Sequence, residues 1–118
     1  MAIQRLHADR RMSQIVIHRD TVYLSGQVGE NMDAGIEQQT TETLQEIEKL
    51  LAEAGSDKEH ILSVTVYLKD IERDFAGMNA VWDCWLPEGV APARATVEVG
   101  MCEPDILVEM SVVAVTCG

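Results

Sequence analysis

The fold is decided by the stretch Ser63-Val64-Thr65-Val66-Tyr67-Leu68, in which polar and apolar residues alternate. This period of two predicts a β-strand that turns its aliphatic side chains toward a core. A helical pattern follows from about Ile71 to Trp85, where Asp70 supplies a capping side chain and Pro87 ends the helix. The alternating run Pro92-Ala93-Arg94-Ala95-Thr96-Val97-Glu98-Val99 comes next and predicts another strand.

A longer helix precedes this unit, and its apolar residues repeat with a helical period: Ile36, Thr40, Leu44, Ile47 and Leu51. Asp33 is a suitable N-cap and Gly55 a suitable residue after the C-cap, which predicts about 20 helical residues with one buried face. Capping-box spacing in Ser56-Asp57-Lys58-Glu59 predicts one further turn. In the second helix the large side chains share one side, which predicts core packing rather than a cofactor stack; they are Phe75, Met78, Trp82 and Trp85.

Further strands are predicted at the two ends of the chain. Gln14–His18 and Thr21–Ser25 flank the turn Arg19-Asp20 and read as a hairpin. Near the C-terminus, Gly100–Asp105 is a turn and Ile106–Thr116 a long strand. The predicted order is ββαβαββ over a single domain, residues 1–118, and it indicates an α+β sandwich with helices on one sheet face.

The second face of the predicted sheet also carries apolar side chains. Along the last strand, Leu107, Val113 and Val115 share a side with Glu109 and Ser111, while the opposite side is fully apolar. Because large exposed apolar patches usually mark an interface, the sequence predicts a homo-oligomer.

Composition and charge limit the class of protein. The chain has 118 residues, 47% of them apolar, and three cysteines without CxxC spacing. The odd cysteine count and the absence of a signal-peptide core in its first residues favour a reducing cytoplasm. No apolar run reaches the roughly 18 to 20 residues that span a membrane, so we expect a soluble protein.

The formal net charge of −11 opposes binding to nucleic acid. Residues 1–20 nevertheless hold four arginines against two aspartates, a net charge of +2. This segment could meet an acidic surface of another subunit, RNA, or only solvent, and the sequence leaves all three open.

The sequence lacks the motifs of several common kinds of functional site. His7, His18 and His60 are far apart in sequence and form no zinc spacing, so no metal is predicted. No glycine-rich phosphate loop follows a strand, and no cofactor is predicted. Ser25 lacks a nucleophile elbow, and the acidic neighbours of Cys102 disfavour a thiolate.

Arg94 is the only basic residue in the last 45 residues, and it lies in a strand. A guanidinium offers a planar fork of donors that matches a carboxylate, so Arg94 is a candidate for an anion-binding or substrate-carboxylate site. The alternative is a structural ion pair with Glu98 or Glu109. Alternation places Arg94 and Glu98 on one face, and Glu109 is expected on a strand paired with that of Arg94 across a hairpin.

The run Pro92–Val99, followed by Val108-Glu109-Met110, resembles the C-terminal signature of the YjgF/RidA family. The similarity extends to Ser25-Gly26-Gln27 and Phe75-Ala76-Gly77-Met78-Asn79 and covers essentially the whole domain. Arg11-Met12-Ser13, together with residues 76–83, looks most similar to the YoaB-type branch.

This resemblance implies a chorismate-mutase-like fold, assembled as a homotrimer with a central β-barrel and clefts between subunits. It also implies cofactor-free hydrolysis of reactive enamines and imines to 2-oxo acids and ammonia. By position, Arg94 would clamp the substrate carboxylate, Glu109 would position the attacking water, and Ser25 would line the cleft.

Two positions depart from the RidA branch. Met12 stands where that branch has a tyrosine, so a hydroxyl that contacts the substrate is missing, and Thr96 replaces a frequent cysteine. The alternative function is therefore a module that binds small carboxylates such as 2-oxo acids without hydrolysing them. An endoribonuclease or translation-inhibitor activity, often attached to the family name, is disfavoured by the charge.

Overall fold

The structure is a computed structural model that describes residues 2–118. Six strands and two α-helices follow one another as β1 (Ile3–Ala8), β2 (Ser13–His18), β3 (Thr21–Gln27), α1 (Ile36–Glu53), β4 (Ile61–Leu68), α2 (Ile71–Trp85), β5 (Ala93–Glu98) and β6 (Val108–Val115). A single 3-10 turn, Lys58–His60, leads into β4.

The first strand was missed by the sequence-based prediction, so the order is βββαβαββ rather than ββαβαββ. β1 pairs antiparallel with β2 at the edge of the sheet, and most of its side chains are exposed. Leu6 is the residue that packs against the core from this strand. An edge strand with one inward side chain has no apolar alternation to reveal it.

The sheet has the strand order β1-β2-β3-β6-β4-β5. β6 lies between β3 and β4 and is antiparallel to both, whereas β5 pairs in parallel with β4. The predicted hairpin between β5 and β6 is therefore wrong. The helical connection α2 returns the chain alongside β4 in the same direction, which is how parallel neighbours are usually joined.

Both helices pack against one face of the sheet, as predicted. The apolar stripe of α1 is buried together with the inward residues of β6, namely Val108, Met110, Val112 and Ala114. On the opposite face β6 carries Glu109 and Ser111, and Tyr23 of β3 is 47% exposed there. Within residues 2–118 no helix covers this second, mixed face.

The helix ends agree only partly with the capping residues predicted from the sequence. Asp70 caps α2 through a hydrogen bond from the Arg73 amide, and Gly55 follows α1 with a φ of 77°, a left-handed conformation that favours glycine. Asp33 is not the N-cap of α1, because Gly35 occupies that place in an extended conformation without a side-chain cap. Asp57 caps the 3-10 turn by accepting from the Glu59 amide.

The apolar side of α2 is buried at Met78 and Trp82 but not at its start. Phe75 is 42% exposed and lies at the surface with Ile71, so its predicted core position is wrong. Helical periodicity shows which side of a helix is apolar but not how far the sheet extends beneath it.

Candidate functional site

Glu109 lies on β6 opposite Tyr67 of β4 and faces a cleft of about 340 Å³ on the sheet face without helices. The Tyr67 and Ser111 hydroxyls are 3.3 Å apart in the wall of the cleft. The lining is completed by the segment Val99–Cys102 and by Gly26. The cleft thus holds one carboxylate, two hydroxyl groups and a short loop that contains Gly100 and Cys102.

The position of the Glu109 carboxylate depends on Gly26. A Cβ atom at residue 26 would lie 2.1 Å from Glu109 Oε2, so only glycine leaves room for the carboxylate. A register shift in β3 between Leu24 and Gln27 places Gly26 within a bulge. The Gln27 side chain stabilises this bulge, because its Nε2 donates to Ser25 O at 3.0 Å and to Gln14 Oε1 at 2.8 Å.

Ser25 and Met12, two of the predicted site residues, are not among the residues that line this cleft. The Ser25 hydroxyl donates to Gln14 Oε1 at 3.2 Å and is partly buried. Met12 is 43% exposed and lies in the β1–β2 turn, where its amide donates to Asp9 Oδ1. Backbone amides of Arg11 and Met12, in that order, lower the pKa of Asp9, which stabilises the turn as a carboxylate cap.

Arg94 lies on the other face of the sheet. In the parallel pairing, Arg94 is beside the buried Val64, on the side covered by α2. Its guanidinium carbon lies 5.0 Å from the centroid of the Trp82 ring, and its Nη1 lies 3.9 Å from the Met78 sulfur. This cation–π contact orients the guanidinium without neutralising its charge.

No carboxylate among residues 2–118 forms an ion pair with Arg94. Glu98 is instead used at the start of α2, where it accepts from the Ile71 amide at 3.0 Å. Neither of the two structural ion pairs considered from the sequence is therefore formed within the chain. The charge of Arg94 remains available to a ligand.

Thr96 lies on the same face as Arg94, two residues along β5, and its hydroxyl is buried without a hydrogen-bond partner in the described chain. Buried hydroxyls are nearly always hydrogen-bonded. Thr96 therefore contributes a buried hydroxyl that the described chain leaves unpartnered, two residues from the unpaired Arg94 guanidinium.

The single chain does not bring Arg94 and Glu109 together. β4 separates their strands, and Val64 and Tyr67, their respective neighbours on β4, lie three residues apart and point to opposite faces. The expected pairing of the Arg94 strand with the Glu109 strand was therefore wrong, since β5 pairs with β4 and β6 lies on the other side of β4.

Sequence comparison places the chain in a known group of proteins. Residues 2–116 match the family model described as endoribonuclease L-PSP. The chain is 45% identical over 114 residues to the RutC family protein YoaB of Escherichia coli K12, covering 97% of this chain and 98% of that protein. The chain belongs to the YjgF/RutC/L-PSP family. A RutC family protein of Haemophilus influenzae is 40% identical over 118 residues, 99% of this chain and 100% of that protein.

Solved structures of the YjgF/RutC/L-PSP family agree with this fold. NMB1025 of Neisseria meningitidis, a YjgF family member, superposes with a TM-score of 0.94 at 40% identity, over 100% of this chain and 98% of its own. A Pseudomonas aeruginosa protein gives the same TM-score at 41% identity, over 98% and 99% of the two chains. The family resemblance and the similarity to YoaB are confirmed. Among residues 2–118, neither helix combines the length and apolar character of a membrane span.

Proposed function

We propose that this protein hydrolyses reactive 2-imino and enamine acids to 2-oxo acids and ammonia, without a cofactor. The observation that carries the proposal is the unpaired guanidinium of Arg94, fixed over Trp82 and followed by the unpartnered hydroxyl of Thr96. A planar bidentate donor of this kind is suited to the carboxylate that all such substrates carry.

The catalytic site is composed of residues from two copies of the chain. Arg94 and Glu109 occupy opposite sheet faces, so one substrate can reach both only if Glu109 is supplied by a neighbouring subunit. A homotrimer whose sheets form a central barrel would cover the helix-free face and place clefts between subunits. Tyr23 and Val97, which are exposed on that face, would then be buried.

The reaction is the addition of water to a carbon–nitrogen double bond. An enamine first tautomerises to its imine, and Arg94 holds the substrate carboxylate in place. The Glu109 carboxylate accepts a proton from water as the water oxygen attacks the imine carbon. Glu109 then passes this proton to the substrate nitrogen, which completes a neutral carbinolamine. The carbinolamine hydroxyl gives its proton, through Glu109, to the amine nitrogen as the carbon–nitrogen bond breaks, which releases ammonia and leaves the 2-oxo acid.

The activity is tested by generating 2-imino acids in situ with an amino-acid oxidase and trapping the survivors with semicarbazide. The protein should reduce the semicarbazone signal, and Arg94→Ala should not. Arg10→Ala, which removes an exposed charge in the β1–β2 turn, is the matched control. Equal signals with and without the wild-type protein would refute the hydrolase. Size-exclusion chromatography of Arg94→Ala separates a lost ligand contact from a dissociated oligomer.

The intersubunit site is tested by mixing Arg94→Ala and Glu109→Gln chains after reversible unfolding. Each variant alone should be inactive, but a randomly mixed closed oligomer should regain about a quarter of the wild-type activity, because each shared cleft draws its two residues from different chains. If the mixture stays as inactive as its components while wild type refolds to full activity, the composite site is wrong.

The second candidate is a module that binds 2-oxo acids or other small carboxylates without reaction. It is favoured by Met12, which offers no hydroxyl at the place of the tyrosine in the RidA branch, while Arg94 is unaffected. Calorimetric titration with pyruvate and 2-oxobutyrate decides it: heat that disappears in Arg94→Ala, without semicarbazone loss, establishes binding alone. Endoribonuclease activity is opposed by the charge of −11, and RNA that stays intact with the pure protein would exclude it.

A further inference from the structure

Three side chains with metal-binding atoms meet at the end of the sheet remote from Glu109. They are Asp57 and His60, at the 3-10 turn before β4, and Cys117, just after β6. Their ligand atoms lie within 4.8 Å of one another, and Cys117 and Asp57 are exposed. Glu109 and Cys117 are eight residues apart along an extended chain, about 26 Å at 3.3 Å per residue, so the cluster is separate from the proposed catalytic site.

Backbone and side-chain hydrogen bonds fix the three residues in place. The Cys117 amide donates to Gly55 O at 2.9 Å, and Thr116 donates to Asp20 O at 2.8 Å. Asp57 Oδ1 accepts from the Glu59 amide at 3.0 Å. The cluster is therefore anchored by backbone hydrogen bonds to the turns at Asp20 and Gly55.

The environment of Cys117 fits a metal ligand better than a catalytic nucleophile. Desolvation by neighbouring atoms, then the hydrogen bond to Asp57 and its negative charge, raise the pKa of the Cys117 thiol, so Cys117 is not an activated nucleophile. Imidazole nitrogen, carboxylate oxygen and thiolate sulfur are together the ligand set of zinc and of related first-row divalent ions.

We propose that Asp57, His60 and Cys117 bind one divalent cation of the zinc type through a carboxylate oxygen, Nδ1 and Sγ, with a fourth position open to solvent. Binding replaces the hydrogen bond between His60 and Asp57, moves the imidazole proton from Nδ1 to Nε2, and releases the Cys117 thiol proton to solvent. The cation would tie the C-terminal segment after β6 to the turn before β4.

The distances fit tetrahedral coordination with a small adjustment. Zinc bonds of about 2.0 to 2.3 Å at tetrahedral angles require about 3.6 Å between sulfur and nitrogen, and about 3.5 Å between sulfur and oxygen. The observed separations are 3.7 Å from Cys117 Sγ to His60 Nδ1 and 3.5 Å to Asp57 Oδ2. Asp57 Oδ2 is therefore the oxygen placed to bind the cation. The other oxygen, Oδ1, is 2.6 Å from His60 Nδ1 as a hydrogen-bonded pair, and this contact must open on binding.

This site was not predicted from the sequence. The site has only one histidine, His60, and its cysteine ligand, Cys117, lies 57 residues further along the chain. The spacing of Asp57 and His60 places both on one turn, which is common without any metal. Only the position of β6 beside β4 brings Cys117 to them.

The test is a Co²⁺ titration of the full chain after treatment with a chelator. Cobalt gives thiolate charge-transfer absorption when a cysteine is a ligand, so the wild type should develop this band and saturate at one Co²⁺ per chain. Cys117→Ser should abolish the band and weaken Co²⁺ binding at least about 100-fold, more than the loss of an outer-shell partner costs. Adding Zn²⁺ to the wild type should remove the band and raise the Tm.

Cys84→Ser and Cys102→Ser are the matched controls, since both remove an exposed thiol outside the cluster. They should titrate like the wild type, and His60→Gln should behave like Cys117→Ser. Far-ultraviolet circular dichroism establishes that each variant is folded. A wild-type protein without the band, or a band that persists in folded Cys117→Ser, would overturn the proposal. The semicarbazide assay of Cys117→Ser should equal that of wild type, so this result is independent of the proposed hydrolase.

Discussion

Replacing Gly26 by alanine is expected to displace the Glu109 carboxylate. The new Cβ atom would lie 2.1 Å from Glu109 Oε2 and 2.9 Å from its carboxyl carbon, whereas ordinary contact begins at 3.4 Å. The carboxylate oxygen must therefore retreat by about 1.3 Å. The backbone tolerates the substitution, since Gly26 is not among the residues with positive φ.

This displacement should reduce activity far more than stability. The carboxylate is the end of a flexible, partly buried side chain, so we expect unfolding to become easier by about 1 kcal/mol, the lower end of overpacking effects. Misplacement of a reacting group by about 1 Å costs about 100-fold in rate, or about 2.7 kcal/mol of transition-state stabilisation. The hydrolase rate of Gly26→Ala should fall by about this factor.

The semicarbazide assay and thermal unfolding measure the two quantities. Gly100→Ala is the control, because Gly100 lines the same cleft but an added Cβ meets no atom within 4 Å. In a Glu109→Ala background, Gly26→Ala should cause no further loss of activity. Normal activity of Gly26→Ala, or equal losses in both glycine variants, would show that the position of Glu109 does not control the reaction.

Three other substitutions test separate parts of the structure. Arg94→Lys keeps the charge but loses the planar fork, so calorimetry should show carboxylate affinity reduced by about 1.5–3 kcal/mol, the range for a charge-assisted hydrogen bond. In Gln39→Met the buried side chain can no longer donate to Asp105 O or accept from the Leu107 amide, and denaturant unfolding should show a loss of about 2–4 kcal/mol, which Gln38→Met at an exposed position should not share. The backbone amide of Asn31, followed by the Gln38 side chain, lowers the pKa of Glu42, so its stabilisation is complete above the ordinary glutamate pKa and is lost as the pH falls through the lower folded value. Glu42→Gln should therefore flatten the decline of Tm between about pH 5 and 3, and an unchanged pH profile would contradict this role.

Local sequence patterns predicted the helices and strands better than they predicted which strands pair with one another. The stripe of α1, the Asp70 cap and the glycine after α1 could each be identified because the cause lies within one or two turns of chain. The parallel position of β5 could also have been predicted, since a helix separates it from β4. The turn predicted at Gly100–Asp105 instead suggested a hairpin between β5 and β6. In the structure β4 lies between these two strands.

In the candidate site, too, features that depend on local sequence could be predicted, whereas contacts that depend on packing could not. Arg94 was recognisable as a lone cation in an acidic region. The stacking of Trp82 on Arg94 depends on how α2 crosses β5, and no local pattern specifies that crossing. The contact between Gly26 and Glu109 likewise requires the register of β3 on β6, including its bulge.

The central place of β6 has a consequence for how the protein is made. β6 is the last strand of the domain, yet β3 and β4 are joined through it, and most of its neighbours lie far away in sequence. During translation, β1, β2 and β3 can form a meander, but β4 finds its antiparallel neighbour only after residue 115 has left the ribosome. The nascent chain therefore exposes unpaired strand edges until synthesis is nearly finished, and this interval is when the chain is most open to aggregation and to chaperones.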